Sequence, residues 1–409
     1  MGKRVLLAIA AFGSVLLPLA RAAAASTPIS FSEARDRILA SNAGLRSAQT
    51  ETAAARAGSA QAGTIPNPGI GVRMKDFGAH EIEVEIEQTI ELGAKRKRRI
   101  EAARHAVDAA ENARERASFA LDAEIVRRFV GIAITRQKIA ALDSILEITE
   151  TIRDGIERRV DAGASRETDR IRIEIDIEQL RLERNELRGA HERARVRFAA
   201  LGGEENAALM HVTGELDDDA PIPDLASLRE AIEAGPALAA YAIDQARLDA
   251  EREALRAEAV PDLHLLAGVS HDRVENATAP VLGLSMSAPL FDRNAGARNR
   301  ARLESEAVRQ QRHNAARLLM ADIRDIHGQL CIIDAKLHTL QTSVMPKVRR
   351  VYAMLQAYYH AGNAAWVDLA EARARMRRLE LHIHDIRRNR ALRLADLMQA
   401  TGKQLPIVK

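Results

Sequence analysis

The sequence predicts a mainly α-helical chain with a small β part. Three observations predict it. From Gly69 to Ala220 there is no proline, so a helix of about 67 residues can run from Ala94 to Val160, roughly 100 Å at 1.5 Å per residue. Four short stretches alternate apolar and polar residues with period two, the pattern of a strand. The order of these elements occurs twice. Composition agrees: of 409 residues, 47% are hydrophobic, 29% charged and only 3% aromatic. That balance suits long helices with ion-laced faces. The apolar fraction excludes a disordered chain. The single cysteine, Cys331, excludes a disulfide scaffold. The shortage of aromatics argues against a large single-chain porin.

Residues 1–25 have the make-up of a secretory signal peptide: Lys3 and Arg4, an apolar stretch from Val5 to Leu19, then small residues from Ala20 to Ala25. About 15 apolar residues fall short of the roughly 20 that span a bilayer as a helix. Removal of Lys3, Arg4 and Arg21 takes the formal charge from +3 to neutral. A neutral mature chain lacks the basic footprint of nucleic-acid binding. No cysteine follows the cleavage region, so no lipid anchor is expected there.

Residues 26–220 and 221–409 read as two structural repeats joined at the acidic, proline-containing segment Asp217–Pro223. Each begins with a helix, Phe31–Ala62 or Leu225–Ala257. Prolines follow, Pro66 and Pro68 or Pro261, and then two strands: about 68–76 and 80–89, or about 262–271 and 279–289. Next comes a very long helix, Ala94–Val160 or Ala295–Tyr359, with Pro346 as the expected kink in the second. The tips fall at about 161–167 and 360–366, where Gly163 and Gly362 supply the positive φ that such turns need. A final helix ends at Gly202-Gly203 or Gly402. Leu337, Leu340, Val344, Val348, Val351 and Leu355 step by three and four, as do Leu369, Ala372, Met376, Leu379, Ile383 and Ile386, which predicts a coiled-coil seam in the second hairpin.

In the strands, Ile70, Val72 and Met74 alternate with Gly71, Arg73 and Lys75. Ile82, Val84 and Ile86 alternate with Glu81, Glu83, Glu85 and Glu87. Such alternation fits a tilted transmembrane strand, and equally a solvent-exposed hairpin capping a helical bundle. Four strands cannot close a barrel, and open edges are forbidden at membrane depth. Three copies would pool twelve strands, enough to close one.

Four segments carry a family resemblance: QTIELGAKRKRRIEAA (Gln88–Ala103), SAPLFDRNAGARNRARLESEA (Ser287–Ala307), and the tips RVDAGASRETDRIRIE (Arg159–Glu174) and YHAGNAAWVDLAEARARM (Tyr359–Met376). Together they resemble the TolC-type outer-membrane efflux channels, nearest to the heavy-metal, CzcC-type branch. The resemblance implies a homotrimer with a twelve-stranded barrel in outer-membrane lipid and an α-helical tunnel in the periplasm. It further implies a periplasmic adaptor, an inner-membrane RND-type pump, and no covalent chemistry.

Asp368 and Glu371 match the acidic pair of the family's tip motif, written here Val367-Asp368-Leu369-Ala370-Glu371-Ala372. Three apart, they share a helix face. In a trimer they would ring the periplasmic mouth and tune cation passage; alone they would be an ordinary acidic helix start. The first tip has Asp169 but Arg172 three residues on. Tyr359 matches the family's tip tyrosine. The arginine that the family's best-known form carries after the glycine is missing, since Asn363-Ala364-Ala365 stands there; a closed-state lock must use other pairs. Glu81, Glu83, Glu85 and Glu87 would give a cation-friendly lumen or a solvated edge. The basic run Lys95–Arg99 would meet anionic head groups or inner acids, or stand as a solvated face.

His327 and Cys331 lie four apart, and His382 and His384 two apart, with no further ligand at a recognised spacing, so neither a metal site nor a cofactor is expected. No phosphate loop, metalloprotease helix or nucleophile elbow is present to suggest an enzyme. The reading is an exit duct for divalent metals. The alternatives are a duct for drugs or organic solutes, and a soluble periplasmic coiled-coil adaptor or scaffold.

Overall fold

The computed structural model describes residues 28–75, 80–203, 209 and 211–409. The predicted signal peptide at 1–25 lies outside them, and so does the question of lipidation. The elements run β1 (Ile29–Ser30), α1 (Phe31–Ser41), α2 (Ala43–Ala62), β2 (Gly69–Lys75), β3 (Glu81–Ile90), α3 (Lys95–Asp161), α4 (Glu167–Ala199) and β4 (Val212–Thr213). The second half continues with α5 (Leu225–Ala234), α6 (Pro236–Glu258), β5 (Leu263–Asp272), β6 (Ala277–Met286), α7 (Ala295–Thr339), α8 (Met345–His360) and α9 (Trp366–Thr401).

The long helix α3 has 67 residues, as its sequence predicts. It is the spine of the molecule. Towards the sheet it packs between α2 and α6, with α7 beyond α6. Towards the tips it packs between α4 and α9, with α8 beyond α9. Its buried positions change face accordingly, from Val126, Val130 and Ile134 against α9 to Ile145, Ile152 and Ile156 in the tip core. Each such fully buried side chain contributes about 2 kcal/mol through removal from water.

Both predicted entry helices are broken in two. Asn42 ends α1 in an extended conformation and caps α2, accepting from the Leu45 amide at 3.1 Å while its side chain donates to the Leu201 carbonyl at 2.9 Å. Gly235 precedes Pro236, whose ring disfavours a helical residue before it, so α5 stops and α6 starts with proline in its first turn.

The predicted kink at Pro346 is a π-helical turn, Leu340–Val344, after which α8 resumes with the proline in its first turn. The turn shifts the phase of the helix. Met345, Tyr352 and Tyr359 face inward, and Val351, expected in the seam, is 52% exposed. Leu337, Leu340, Leu369, Met376, Leu379, Ile383 and Ile386 do pack in the cores, as expected.

The segment Asp217–Pro223 is not a loose linker. Arg390, 4% exposed, donates to the Ala220 carbonyl at 2.6 Å and to Asp334 at 2.6 Å. Arg387 pairs with Asp218 at 3.1 Å, and Lys409 with Asp217 at 2.7 Å. The sequence gives no sign of the small parallel pair β1–β4 beside it, nor of the Leu216–Val408 bridge, because two-residue strands carry no periodicity.

The four longer strands form one antiparallel sheet in the order β2-β3-β5-β6. The two hairpins are thus joined, through β3 and β5, over the full register Glu81↔Asp272 to Ile90↔Leu263. Residues 76–79 of the first turn lie outside the described residues.

On α9, His384 meets Gln137 at 3.1 Å, beside the pair Lys138–Asp385 at 2.7 Å. Burial first, then Arg387 and Lys138, push its pKa down from the ordinary 6.5 to about 4. The folded protein therefore resists protonating this ring more than the unfolded chain does. Stability present at pH 7 is lost as pH falls from 6.5 towards 4. Thermal unfolding in detergent between pH 7 and 4.5 is expected to show a smaller drop for His384→Gln than for the natural protein.

Candidate channel-forming surfaces

Two surfaces are candidates for function: the faces of the sheet and the paired helical tips. The register sorts most of the strand residues by face, with Leu266 and Val281 left on the side of the glutamates. Ile70, Val72 and Met74 stand opposite Ile86, Val84 and Ile82. These stand opposite Ala267, Val269 and His271, and Ala267 and Leu265 opposite Leu282 and Leu284. That face is bare: Ile70 is 78% exposed and Leu282 84%. Leaving such side chains in water forgoes about 2 kcal/mol each, and a contiguous apolar patch of this kind marks a protein or membrane contact. Among the described residues, no helix is long and apolar enough to cross a membrane; the apolar sheet face is a separate matter.

The opposite face carries the four glutamates. Each has a partner. Arg73 reaches Glu83 at 3.2 Å and Glu85 at 3.0 Å. Lys75 pairs with Glu81 at 3.1 Å, and Ser270 donates to Glu81 at 2.6 Å. His264 stands 2.9 Å from Glu87. The acidic row is therefore neither bare nor simply solvated: Arg73 and Lys75 balance two of its four charges. In sequence these bases are visible only as the alternate residues of β2. The antiparallel register sets them opposite the glutamates.

The first tip joins α3 to α4 and the second joins α8 to α9. Gly163 and Gly362 turn them at φ 68° and 80°. The tips share one apolar core that includes Ile156, Ile173, Tyr359, Trp366 and Leu369. Tyr359 is buried against Trp366, with ring centroids 6.0 Å apart at 64°. Burial pushes its hydroxyl above the ordinary tyrosine value. Arg159, from the other tip, lies over the Tyr359 ring at 5.1 Å and donates to the Tyr359 carbonyl at 3.0 Å. An arginine thus meets the tyrosine from the first tip, where the sequence offers none in the second turn.

Below this junction, Arg373 is buried over the Trp366 ring at 5.3 Å. It donates to Thr149 at 3.0 Å and pairs with Asp176. Burial pushes its guanidinium below the ordinary arginine value, against the pull of Asp176. Arg377 pairs with Glu183 at 3.2 Å. These ties join the two halves of the chain, and sequence reasoning missed Arg159, Asp176, Trp366 and Arg373. The available signal was the seven-residue spacing of Met345, Tyr352 and Tyr359, which points that face of α8 inward.

Asp368 and Glu371 lie at the start of α9, both exposed, and neither has a hydrogen-bond or ion-pair partner among the described residues. Asp169 is half-buried, 4.0 Å from Arg172. His327 and Cys331 are 3.8 Å apart on exposed α7 surface. Among the described residues, no group of three His, Cys, Asp or Glu could hold a metal ion.

A tall helical shaft, topped by a small sheet with one apolar and one charged face, is the architecture of an outer-membrane channel subunit. The outer membrane efflux protein family matches residues 34–204 and 227–403, and the chain belongs to that family. It is 26% identical to the cobalt-zinc-cadmium resistance protein CzcC of Cupriavidus metallidurans over 361 residues, 85% of this chain and 84% of that one. It is also 26% identical to the nickel and cobalt resistance protein CnrC of the same organism over 312 residues, 74% of this chain and 73% of that one. The fold matches the outer-membrane channel OprN with a TM-score of 0.75 at 19% identity, covering 91% of this chain and 90% of that one.

The chain's single tryptophan is Trp366, so its emission reports on the tip junction. Arg373→Ala removes the cation over its ring and leaves Asp176 unpaired, at a cost of about 2 kcal/mol. A red-shifted emission and a lower thermal midpoint are expected, with neither change in Arg378→Ala, an exposed position on the same helix.

Proposed function

We propose that this chain is the outer-membrane exit duct of a tripartite efflux system for divalent heavy-metal cations. It works as a homotrimer docked on a periplasmic adaptor and an inner-membrane RND-type pump. In this reading the signal peptide at 1–25 directs export, and residues 26–220 and 221–409 are two copies of one ancestral unit.

The observation that carries the reading is the sheet. Its apolar face is exposed, and its outer strands, β2 and β6, have no neighbour on their open edges among the described residues. Unpaired backbone groups are not tolerated in lipid. Pairing of β6 with β2 of the next copy satisfies them, and three copies close the ring. The helical end supports the same closure. The outermost helices near the tips, α4 and α8, each expose apolar side chains: Ile171, Ile175 and Leu182 on one, Val351, Met354 and Tyr358 on the other. Such unlike stripes at opposite edges suit head-to-tail packing around a three-fold axis. The cation assignment draws on the relatives, whose names are those of cobalt, zinc, cadmium and nickel resistance proteins. The acidic excess of the inner sheet face is consistent with it.

Asp368, Glu371 and Tyr359 form the periplasmic aperture in this reading. Six unpartnered carboxylates converge at the mouth and attract cations, while Tyr359, held by Arg159, ties the two hairpins in the shut state.

The mature protein is expected to require detergent for extraction and to run as a trimer on an unheated gel that collapses on boiling. A monomer soluble in plain buffer would rule the duct out. In planar bilayers, Asp368→Ala with Glu371→Ala is expected to weaken cation selectivity and block by divalent ions. Unchanged conductance across a range of divalent concentrations would remove the aperture role.

A further inference from the structure

We infer that Arg73 sets how weakly the charged face of the sheet holds a passing divalent cation, by occupying a place on that face where two carboxylates, Glu83 and Glu85, would otherwise grip it. The inference deepens the duct reading and rests on it.

Glu83 and Glu85 stand two apart on β3, on one side of the pleat, about 7 Å apart along the strand. Arg73 on β2 lies opposite Glu83 and spans both, with Nη1 3.2 Å from Glu83 Oε2 and Nη2 3.0 Å from Glu85 Oε1. Glu85 sits in a gap between glycines, since its partners on the two neighbouring strands are Gly71 and Gly268. A Cβ at Gly71 would come within 2.9 Å of Glu85 Oε1, and one at Gly268 within 2.4 Å of the Val84 carbonyl oxygen. The side chain can therefore lie low against the sheet. The Glu83 and Glu85 side chains are only 7% and 12% exposed, and Glu85 Oε2 is buried with no hydrogen-bond partner.

A carboxylate with a spare oxygen beside a second carboxylate is a chelating arrangement for a divalent cation. The guanidinium fills it. Its planar fork matches two carboxylate oxygens. The two remaining acids of the row, Glu81 and Glu87, lie at either end, against Lys75 and His264. The face thus keeps negative charge to draw cations in, while Glu83 and Glu85 are no bare pair to hold one. Conduction needs that balance, because an ion bound too well does not leave. Lysine at this position would keep the charge without the fork, so the span between the two acids calls for arginine.

The test uses the full-length protein, purified in detergent and reconstituted in planar bilayers, with zinc chloride as the probe. Natural channels are expected to conduct with weak zinc block. Arg73→Gln is expected to lower the half-blocking zinc concentration about tenfold or more, and Arg73→Gln/Glu83→Gln/Glu85→Gln to return it to the natural value. A conducting Arg73→Gln channel blocked no more strongly than the natural one overturns the inference and leaves the duct reading intact. Absence of any conductance from the natural trimer overturns both. If Arg73→Gln does not assemble, Glu83→Gln/Glu85→Gln carries the test. It leaves Arg73 uncompensated, so the reversal potential in a potassium chloride gradient is expected to move towards chloride, and an unmoved potential overturns the inference.

Discussion

Antiparallel pairing of β3 with β5 is the constraint on which the upper part of the molecule depends. It joins a hairpin from each half of the chain into one sheet, and its register decides the chemistry of both faces. Because side chains alternate with period two, a slip of one residue would carry Glu81, Glu83, Glu85 and Glu87 to the apolar side and bring Ile82, Val84 and Ile86 among the charges. Gly268 helps to fix the register, since a Cβ there would strike the β3 backbone, and Ser270 secures it by donating to Glu81. With that pairing in place, Arg73 and Lys75 meet the glutamates, and Ile70, Val72, Ile82, Val84, Ile86, Val269, Leu282 and Leu284 share the other side.

The helical shaft answers a different demand. A helix of 67 residues cannot gain its stability from propensity alone and must bury a stripe along its whole length. The helix α3 does so by changing partners, from α2 and α6 near the sheet to α4 and α9 near the tips. The segment where it changes is also where the chain is knotted together. There, Arg390, Arg387 and Lys409 bind the crossing between the halves, and β1 pairs with β4. The two hairpins differ in the course of their long helices. The first has an unbroken α3; the second has the π-turn Leu340–Val344 before Pro346. That extra residue of phase turns Tyr352 and Tyr359 inward and makes the tip core aromatic, so the contact between tips centres on Tyr359, Trp366, Arg159 and Arg373 rather than on the aliphatic seam that spacing suggests.

Much of this was legible in the chain before folding. Helix ends, strand positions and both glycine turns follow from proline placement, period and the need for positive φ at Gly163 and Gly362, and the family signatures around Gln88–Ala103 and Ser287–Ala307 point to the same architecture. Breaks at Asn42 and Gly235 were present as a cap residue and a pre-proline glycine, weak signals beside long helical patterns. The partners of the acidic row were not legible, because Arg73 and Lys75 read as ordinary polar positions of an alternating strand. Nor were Arg159, Asp176 and Arg373, charged residues on helices crowded with charge, where nothing local separates a buried arginine from a solvated one.

By itself the sequence determined the long helices, the four longer strands, both glycine turns and their order, since period and turn chemistry are local properties of the chain. Only the tertiary structure decided which residues meet across elements. The glutamates became a compensated face through the register of two strands. Tyr359 gained its arginine from a segment 200 positions away in the chain. Charge pairing and burial are set by distances in space, and spacing along a chain does not encode those distances once the partner lies on another element.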